Sequence, residues 1–457
     1  MYKKYIKNQK GIGVAITLLA IMIISILGMA LLIRSTSLAG VITQKNYTIT
    51  ATEAAKAGIS HAIHMVEADL YYTTPISYTP LSTYTVTNHV ERGYYKVDLL
   101  NNLEGTVPLT SPYSGYVVPP GVIEVVSTGY AGNPVLNEQK RTMKIVAMGN
   151  RLDVQFNPWS NALTLGGTIN PGGDAGGNEI LTDSYDSSAV PPRYSGGTEG
   201  DIAILNLDQT VDLGSRNIQG EIKVPEGASV TGTGTYLDAN GVQHDLDDPN
   251  RYFTSMTDPF VMTSVMQKTP GTVDVKNNAT LSPGAYRDMF LESNRTIVLE
   301  PGTYIFRDII NSGGGSSKGR VNLKLNGPVK IFVTGNISMT GNVNINSIQE
   351  ADGTCHPDRP ASYLKVFGTE TCTSVTIGGS VCFCGGVYAP DATFTFNGLG
   401  GNNEKVKSDL WGSFAGNNAV FSGAKVSIHY DEMLNDGNIE TFYTGIAKDS
   451  MRWVYGY

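Results

Sequence analysis

The sequence predicts a mainly β protein carried on one long N-terminal helix. In chain order it comprises a membrane-spanning and amphipathic α-helix, a small antiparallel sheet and a C-terminal β-solenoid (β-helix). Three observations lead there. Gly11 to Ile33 runs 23 residues without a charge. Four short runs rich in β-branched and aromatic residues lie between 84 and 149, separated by Gly, Asn and Pro. From Asn157 onward, runs of about 4–6 residues with alternating apolar positions break at Asn, Gly or Pro, with an irregular period near 18–22 residues.

The charge-free run is long enough to cross a bilayer, roughly 34 Å as a helix at the usual rise. Lys3, Lys4, Lys7 and Lys10 precede it without an acidic residue, which keeps the N-terminus cytoplasmic and sends the bulk of the chain outward. A buried core helix seldom runs so long without charge, and a secretory signal usually has a shorter apolar core ending in a cleavage site of small residues. Past Arg34 the helical pattern continues. Ala55, Ile59, Ala62, Ile63, Val66 and Leu70 fall on one face, with Thr52, Glu53, Lys56, His61 and Glu67 mostly off it.

A basic leader ending in Gly, a membrane helix and an amphipathic extension together resemble a type IV prepilin, most closely the PilX type of minor pilin. The stretches that carry the resemblance are QKGIGVAITLLAIMIISILGMALLIRSTSLAG (9–40) and TEAAKAGISHAI (52–63). It implies cleavage by prepilin peptidase between Gly11 and Ile12, a single-pass inner-membrane precursor, and partners among other pilins and minor pilins. Major pilins carry Glu at the fifth mature position; here that position is Ile16, which implies a minor subunit or a pseudopilin.

The domain division expected from these patterns is a leader at 1–11, a membrane-spanning and amphipathic helix at 12–70, a pilin-like antiparallel sheet at 71–155 and the solenoid at 156–457. The sheet strands are YTVTNHV (84–90), YYKVDLL (94–100), VIEVVSTG (122–129) and RTMKIVAMG (141–149). In the solenoid, a Cys-containing insertion is expected at 350–372, an excursion or edge cover at 244–260 and an aromatic tail at the end. The stretches PGTYIF, GPVKIFVTGNISMTGN, GGVYAPDATFTFNG, WGSFAGNNAVFSG and SIHYDEML resemble the solenoid domain often found behind PilX-type N-termini, over roughly 280–434.

Charged residues make up only 16% and Gly numbers 52, while 41% hydrophobic residues suffice for a core, as in an exported, turn-rich β protein. The net charge of −8, with no basic block outside the leader, argues against nucleic acid. Cys355, Cys372, Cys382 and Cys384 suggest disulfides. Cys382 and Cys384 share one strand face, too far apart to bond each other, so Cys355 and Cys372 are each expected to pair with one of them. A metal site including His356 has no zinc spacing behind it.

Catalytic signals are thin. Asp245, Asp247, Asp248 and Asn250 lack the Gly and Glu of a calcium loop and read as a polar turn. His429, Tyr430, Asp431 and Glu432 are consecutive and so alternate faces; Asp431 is expected to cap a short helix, EML. Asp201, Asp208, Asp212, Glu221 and Glu226 follow no period. Phosphate-loop and G-x-S-x-G patterns are absent, so neither an enzyme nor a cofactor is implied. Phe442, Tyr443, Trp453, Tyr455 and Tyr457 offer a sugar- or partner-binding surface, or else pack on the solenoid end or the pilin sheet. The function expected first is a minor pilin of type IV pilus assembly. A surface adhesin for a glycan or protein and a K-class pseudopilin of type II secretion are the alternatives, with a polysaccharide-active enzyme last.

Overall fold

The computed structural model describes residues 2–453 apart from 72–82, 91–92, 103–108, 113, 120, 133–137, 154–156, 171–179, 189–192, 206–209, 249–252, 257–261, 266, 293, 312–319, 351–353, 398–407, 423–425, 436–440 and 447–449. The protein is mainly β, with one long N-terminal helix, Tyr2–Tyr71. That helix is long and apolar enough to cross a membrane. Val14, Leu18, Ile24, Leu32 and Ile42 stand exposed around its circumference, an all-round apolarity compatible with a membrane anchor. Several of its hydroxyls bond the preceding turn: Thr17 donates to Gly13 O at 2.8 Å and Thr43 to Ala39 O at 2.9 Å.

The outer half of the helix is one-sided. Ala54, Ile59, Ala62 and Val66 are buried against Tyr95, Val97, Leu99, Ile123, Val125, Ile145 and Ala147. These residues belong to the antiparallel strands Gly93–Asn102, Val122–Ala131 and Gln139–Asp153; Thr83–Val90 pairs beside the first of them. All four expected strands are present. The helix approaches so closely that a Cβ at Gly129 would lie 1.9 Å from Ala51 O and 2.5 Å from Ala55 N. Only glycine on the strand permits that contact.

The sheet is completed from the far end of the chain. Thr441–Ile446 and Arg452–Trp453 both pair antiparallel with Gln139–Asp153. These residues therefore belong with the helix-bearing sheet, not with the unit expected to run from 156 to 457. The described residues between Asp153 and Thr441 form an excursion from that sheet.

That excursion is a stack of parallel strands in three ladders. One runs through Ala279–Leu281, Thr296–Leu299, Val321–Leu325, Val343–Ile345, 381–383, 408–411 and Val426–Asp431. A second runs through Gly284–Ala285, Gly302–Phe306, Val329–Val333, Leu364–Gly368, 386–388 and 412–416. A third runs through Asp288–Phe290, Asp308–Ile310, Ile337–Thr340, Ser374–Gly378, 393–397 and 418–422. Parallel registry puts like residues above like. Ile297, Leu323, Ile345, Phe383, Leu410 and Ile428 form one inward column, each at most 3% exposed. At about 1.5–3 kcal/mol for each fully buried large apolar side chain, such columns are the main source of cohesion.

Order along the stack differs from order in the sequence. Leu163–Leu165 pairs with 414–416, and Ile180–Asp186 pairs with Val426–Asp431. The strands at 202–204, 222–225 and 254–256 then extend the stack beyond. The chain therefore enters mid-stack, builds to one end, crosses to the other and coils back. Part of the crossing lies along the second ladder: Val265 bridges Thr369, Tyr388 donates its hydroxyl to Thr263 O at 2.6 Å, and the Lys268 ammonium sits 5.0 Å from the Phe332 ring centre. Within the expected excursion at 244–260, Thr254–Met256 serves as an edge rung on Lys223–Pro225.

The insertion expected at 350–372 is shorter than its sequence suggests. Ser347–Gln349 and Cys355–Pro357 form a small hairpin, and Ala361–Tyr363 is a single helical turn. Leu364–Gly368 is already a rung of the second ladder.

Candidate functional site

Two polar clusters sit where the returning rungs meet the entering ones. In the first, registry aligns Cys384, Trp411, His429 and Asp183 on four successive strands. The His429 and Trp411 rings stack at 4.2 Å, and His429 Nδ1 lies 2.5 Å from Asp183 Oδ1. Tyr185 meets Trp411 edge-on at 4.9 Å and reaches Cys384 Sγ at 3.8 Å. Asp431, fully buried, accepts from Ala361 N at 3.0 Å and Met433 N at 3.2 Å. It thus caps the turn Glu432–Leu434, as expected, and also clasps the excursion at 347–363. Burial raises the Asp431 carboxyl above the ordinary aspartate range. Burial likewise pushes the Cys384 thiol well up, which makes it a poor nucleophile.

The cysteines form one bond where two were expected. Cys355 is joined to Cys382, while Cys372 and Cys384 are buried free thiols. The reason is topological. Cys382 and Cys384 lie on the first ladder, beside the excursion that carries Cys355, whereas Cys372 sits in the turn between strands of the second and third ladders. Burial raises the Cys372 thiol to about 12.

The second cluster gathers part of the carboxylate set picked out in the sequence. Lys223 Nζ lies 2.5 Å from Asp201 Oδ2 and 3.1 Å from Asn161 Oδ1. Asp201 Oδ1 accepts the Glu221 backbone N–H at 2.8 Å, and Thr254 donates to Glu221 Oε2 at 2.8 Å. Ser184 bonds Glu432 at 2.7 Å nearby. Partial desolvation, then Asp201 and Glu432, raise the Glu199 carboxyl. Asp212 and Glu226 are exposed elsewhere, and Asp208 lies outside the described residues. Asn161 and Lys223 were not expected here, because the contact depends on which rungs stack, and no local pattern encodes that.

The other candidates are dispersed. Gly11 and Ile12 lie within the long helix. Asp245 ends a hairpin strand and Asp248 N bonds Asp245 O at 3.1 Å, a local polar turn; Asn250 lies outside the described residues. Among the described residues no group of three His, Cys, Asp or Glu could hold a metal ion. Phe442, Tyr443 and Trp453 sit on the strands that complete the helix-bearing sheet; Tyr455 and Tyr457 lie outside the described residues.

Residues 308–437 match a family described as "Domain of unknown function (DUF7305)". No curated protein matches the chain. Among solved structures, the competence-associated pilin ComZ from Thermus thermophilus is similar at 14% identity, over 90% of this chain and 97% of that one, with a TM-score of 0.16. That superposition is too slight to carry an argument.

Proposed function

We propose that this protein is a pilin-like minor subunit of the PilX type, acting in type IV pilus assembly rather than in catalysis, with its ladders forming a β-solenoid of three strands per coil. The observation that supports this most is the unbroken helix. An all-round apolar half runs directly into a half docked through Ala54, Ile59, Ala62 and Val66 on an antiparallel sheet. A subunit that leaves a membrane to enter a helix-cored filament needs that arrangement. Prepilin peptidase would cut between Gly11 and Ile12, leaving a mature chain that packs against other pilins.

We place the subunit at low copy at or near the filament tip, where it would serve initiation or adhesion. Ile16 cannot neutralise the terminal amine of a neighbouring subunit buried in an apolar bundle, and an unpaired buried amine is costly. A tip subunit has no such neighbour above it, and a bulky excursion from the sheet would crowd a packed shaft. Immunogold labelling of sheared pili should mark ends, N-terminal sequencing should begin at Ile12, and deletion should lower pilus number. Regular shaft labelling would overturn the placement, and a mature start beyond residue 34 would overturn the pilin reading. Loss of attachment with normal piliation would favour the adhesin.

A further inference from the structure

Three consecutive turns of the stack bring together an amine, a carboxamide and a carboxylate. Registry sets Leu163 beside Ile202 and Ile202 beside Ile222. Asn161 therefore stands just before the first of these strands, Asp201 just before the second and Lys223 within the third. Asn161 and Asp201 are 5% and 7% exposed, and the Lys223 side chain is 27% exposed. Each member is held in place. Asn161 Nδ2 donates to Thr164 Oγ1 at 3.1 Å and Ser160 Oγ at 3.2 Å. Asp201 Oδ1 is fixed by Glu221 N–H, while its Oδ2 and Asn161 Oδ1 both face Lys223 Nζ. A simple ion pair would require Lys223 and Asp201 alone. Here the ammonium also lies against a buried carboxamide whose own donors are occupied.

We propose that Lys223 and Asn161 become joined by an intramolecular amide bond, with Asp201 as the proton-transfer group. Lys223 gives a proton to the Asp201 carboxylate, and the freed lone pair attacks Asn161 Cγ. The Nζ–Cγ bond forms as the carbonyl pair moves onto Oδ1. Protonated Asp201 then delivers its proton to Nδ2, and the returning pair expels ammonia by breaking Cγ–Nδ2. Asp201 takes the surplus proton from Nζ and passes it to the ammonia. In sum, an ammonium and a carboxamide become a secondary amide and an ammonium ion. Asp201 ends as it began, no electrons are transferred and no co-reactant is needed. Fixed proximity is the main driving factor for a reaction too slow between free side chains.

The link would close a loop between residues 62 apart and tie the first entering rung to the third, across Ile202–Ile204. It would stand where the chain enters the stack from the helix-bearing sheet. The inference does not depend on the pilin reading.

The test is the intact mass of the full-length chain, purified in detergent, denatured and reduced, with its N-terminus determined separately. The expected mass is lower than the sequence mass by one ammonia, with a branched peptide joining the segments that contain Asn161 and Lys223. Asp201→Ala and Lys223→Arg should each restore the full mass, Lys223→Arg while keeping the ion pair and the melting profile of a folded stack. An unmodified wild-type mass, with both segments recovered as linear peptides, would overturn the proposal. Loss of one water with Lys223 joined to Asp201 would overturn the assignment to Asn161.

Discussion

The helix-bearing sheet and the ladder stack solve the same burial problem by opposite means. The sheet packs its larger apolar face on one partner, so most of its cohesion lies in a seam of Ala54, Ile59, Ala62 and Val66 against Tyr95, Val97, Ile123 and Ile145, with a smaller cluster of Leu100, Val118 and Val122 apart from it. The stack has no such seam. Each rung is the partner of the next, and inward columns such as Ile345, Phe383 and Leu410 spread cohesion over many equivalent layers. The sheet should therefore fail as a unit when the seam is disturbed, and the stack should lose stability wherever a layer is removed.

The largest expected effect lies in the stack. Phe383 is fully buried between Ile345 and Leu410 in its column and 5.5 Å from the Phe414 ring. Phe383→Ala should cost about 3–5 kcal/mol, the usual range for deleting a buried ring where neighbours cannot collapse into the space. Chemical denaturation followed by near-ultraviolet circular dichroism would measure it. If hydrogen exchange showed equal loosening of the helix-bearing sheet, the two regions would be one cooperative unit and the contrast would fail.

A smaller effect is expected from the seam. Gly129→Val places its Cβ where Ala51 O and Ala55 N already lie, so the helix must lift from the sheet at a cost of about 1–3 kcal/mol. Proteolysis should then open the segment around Ala51–Val66 while the ladders stay protected. Unchanged protection of that segment would mean the seam tolerates displacement.

This contrast also explains what could be read in advance. The helix and the four sheet strands were legible because their signals are local: a charge-free run, a one-face period and runs of β-branched residues. The expected strands at 84–90, 94–100, 122–129 and 141–149 match Thr83–Val90, Gly93–Asn102, Val122–Ala131 and Gln139–Asp153 closely. Partner choice was not legible. TFYTGI is a plausible strand anywhere, and nothing near residue 441 points to Arg151 and Asp153. The same holds for Leu163–Leu165 on 414–416, and hence for the meeting of Asn161 with Lys223. In the disulfide, shared facing correctly kept Cys382 from Cys384, but the ladder turn occupied by Cys372 could not be foreseen.

The smallest expected effect tests the clasp that joins the excursion at 347–363 to Val426–Asp431, the last returning rung. Asp431 carries a raised carboxyl, chiefly through burial, with Tyr185 and Cys384 among the groups around it. A carboxyl raised on folding binds its proton more tightly folded than unfolded. Its contribution is complete below the ordinary aspartate value of 3.8 and is lost as the pH climbs through the raised value. Asp431→Asn cannot titrate, and like the protonated carboxyl it offers one carbonyl acceptor to the Ala361, Met433 and Ser187 N–H groups. Other carboxylates shape both proteins alike and cancel in the difference. As the pH rises from the ordinary aspartate value of 3.8 through the raised one, the denaturation midpoint of Asp431→Asn should therefore gain on that of the wild type. A constant gap between the two curves would mean that Asp431 titrates as it does in the unfolded chain. Its hydrogen bonds to Ala361, Met433 and Ser187 would then fully offset the cost of burying its charge.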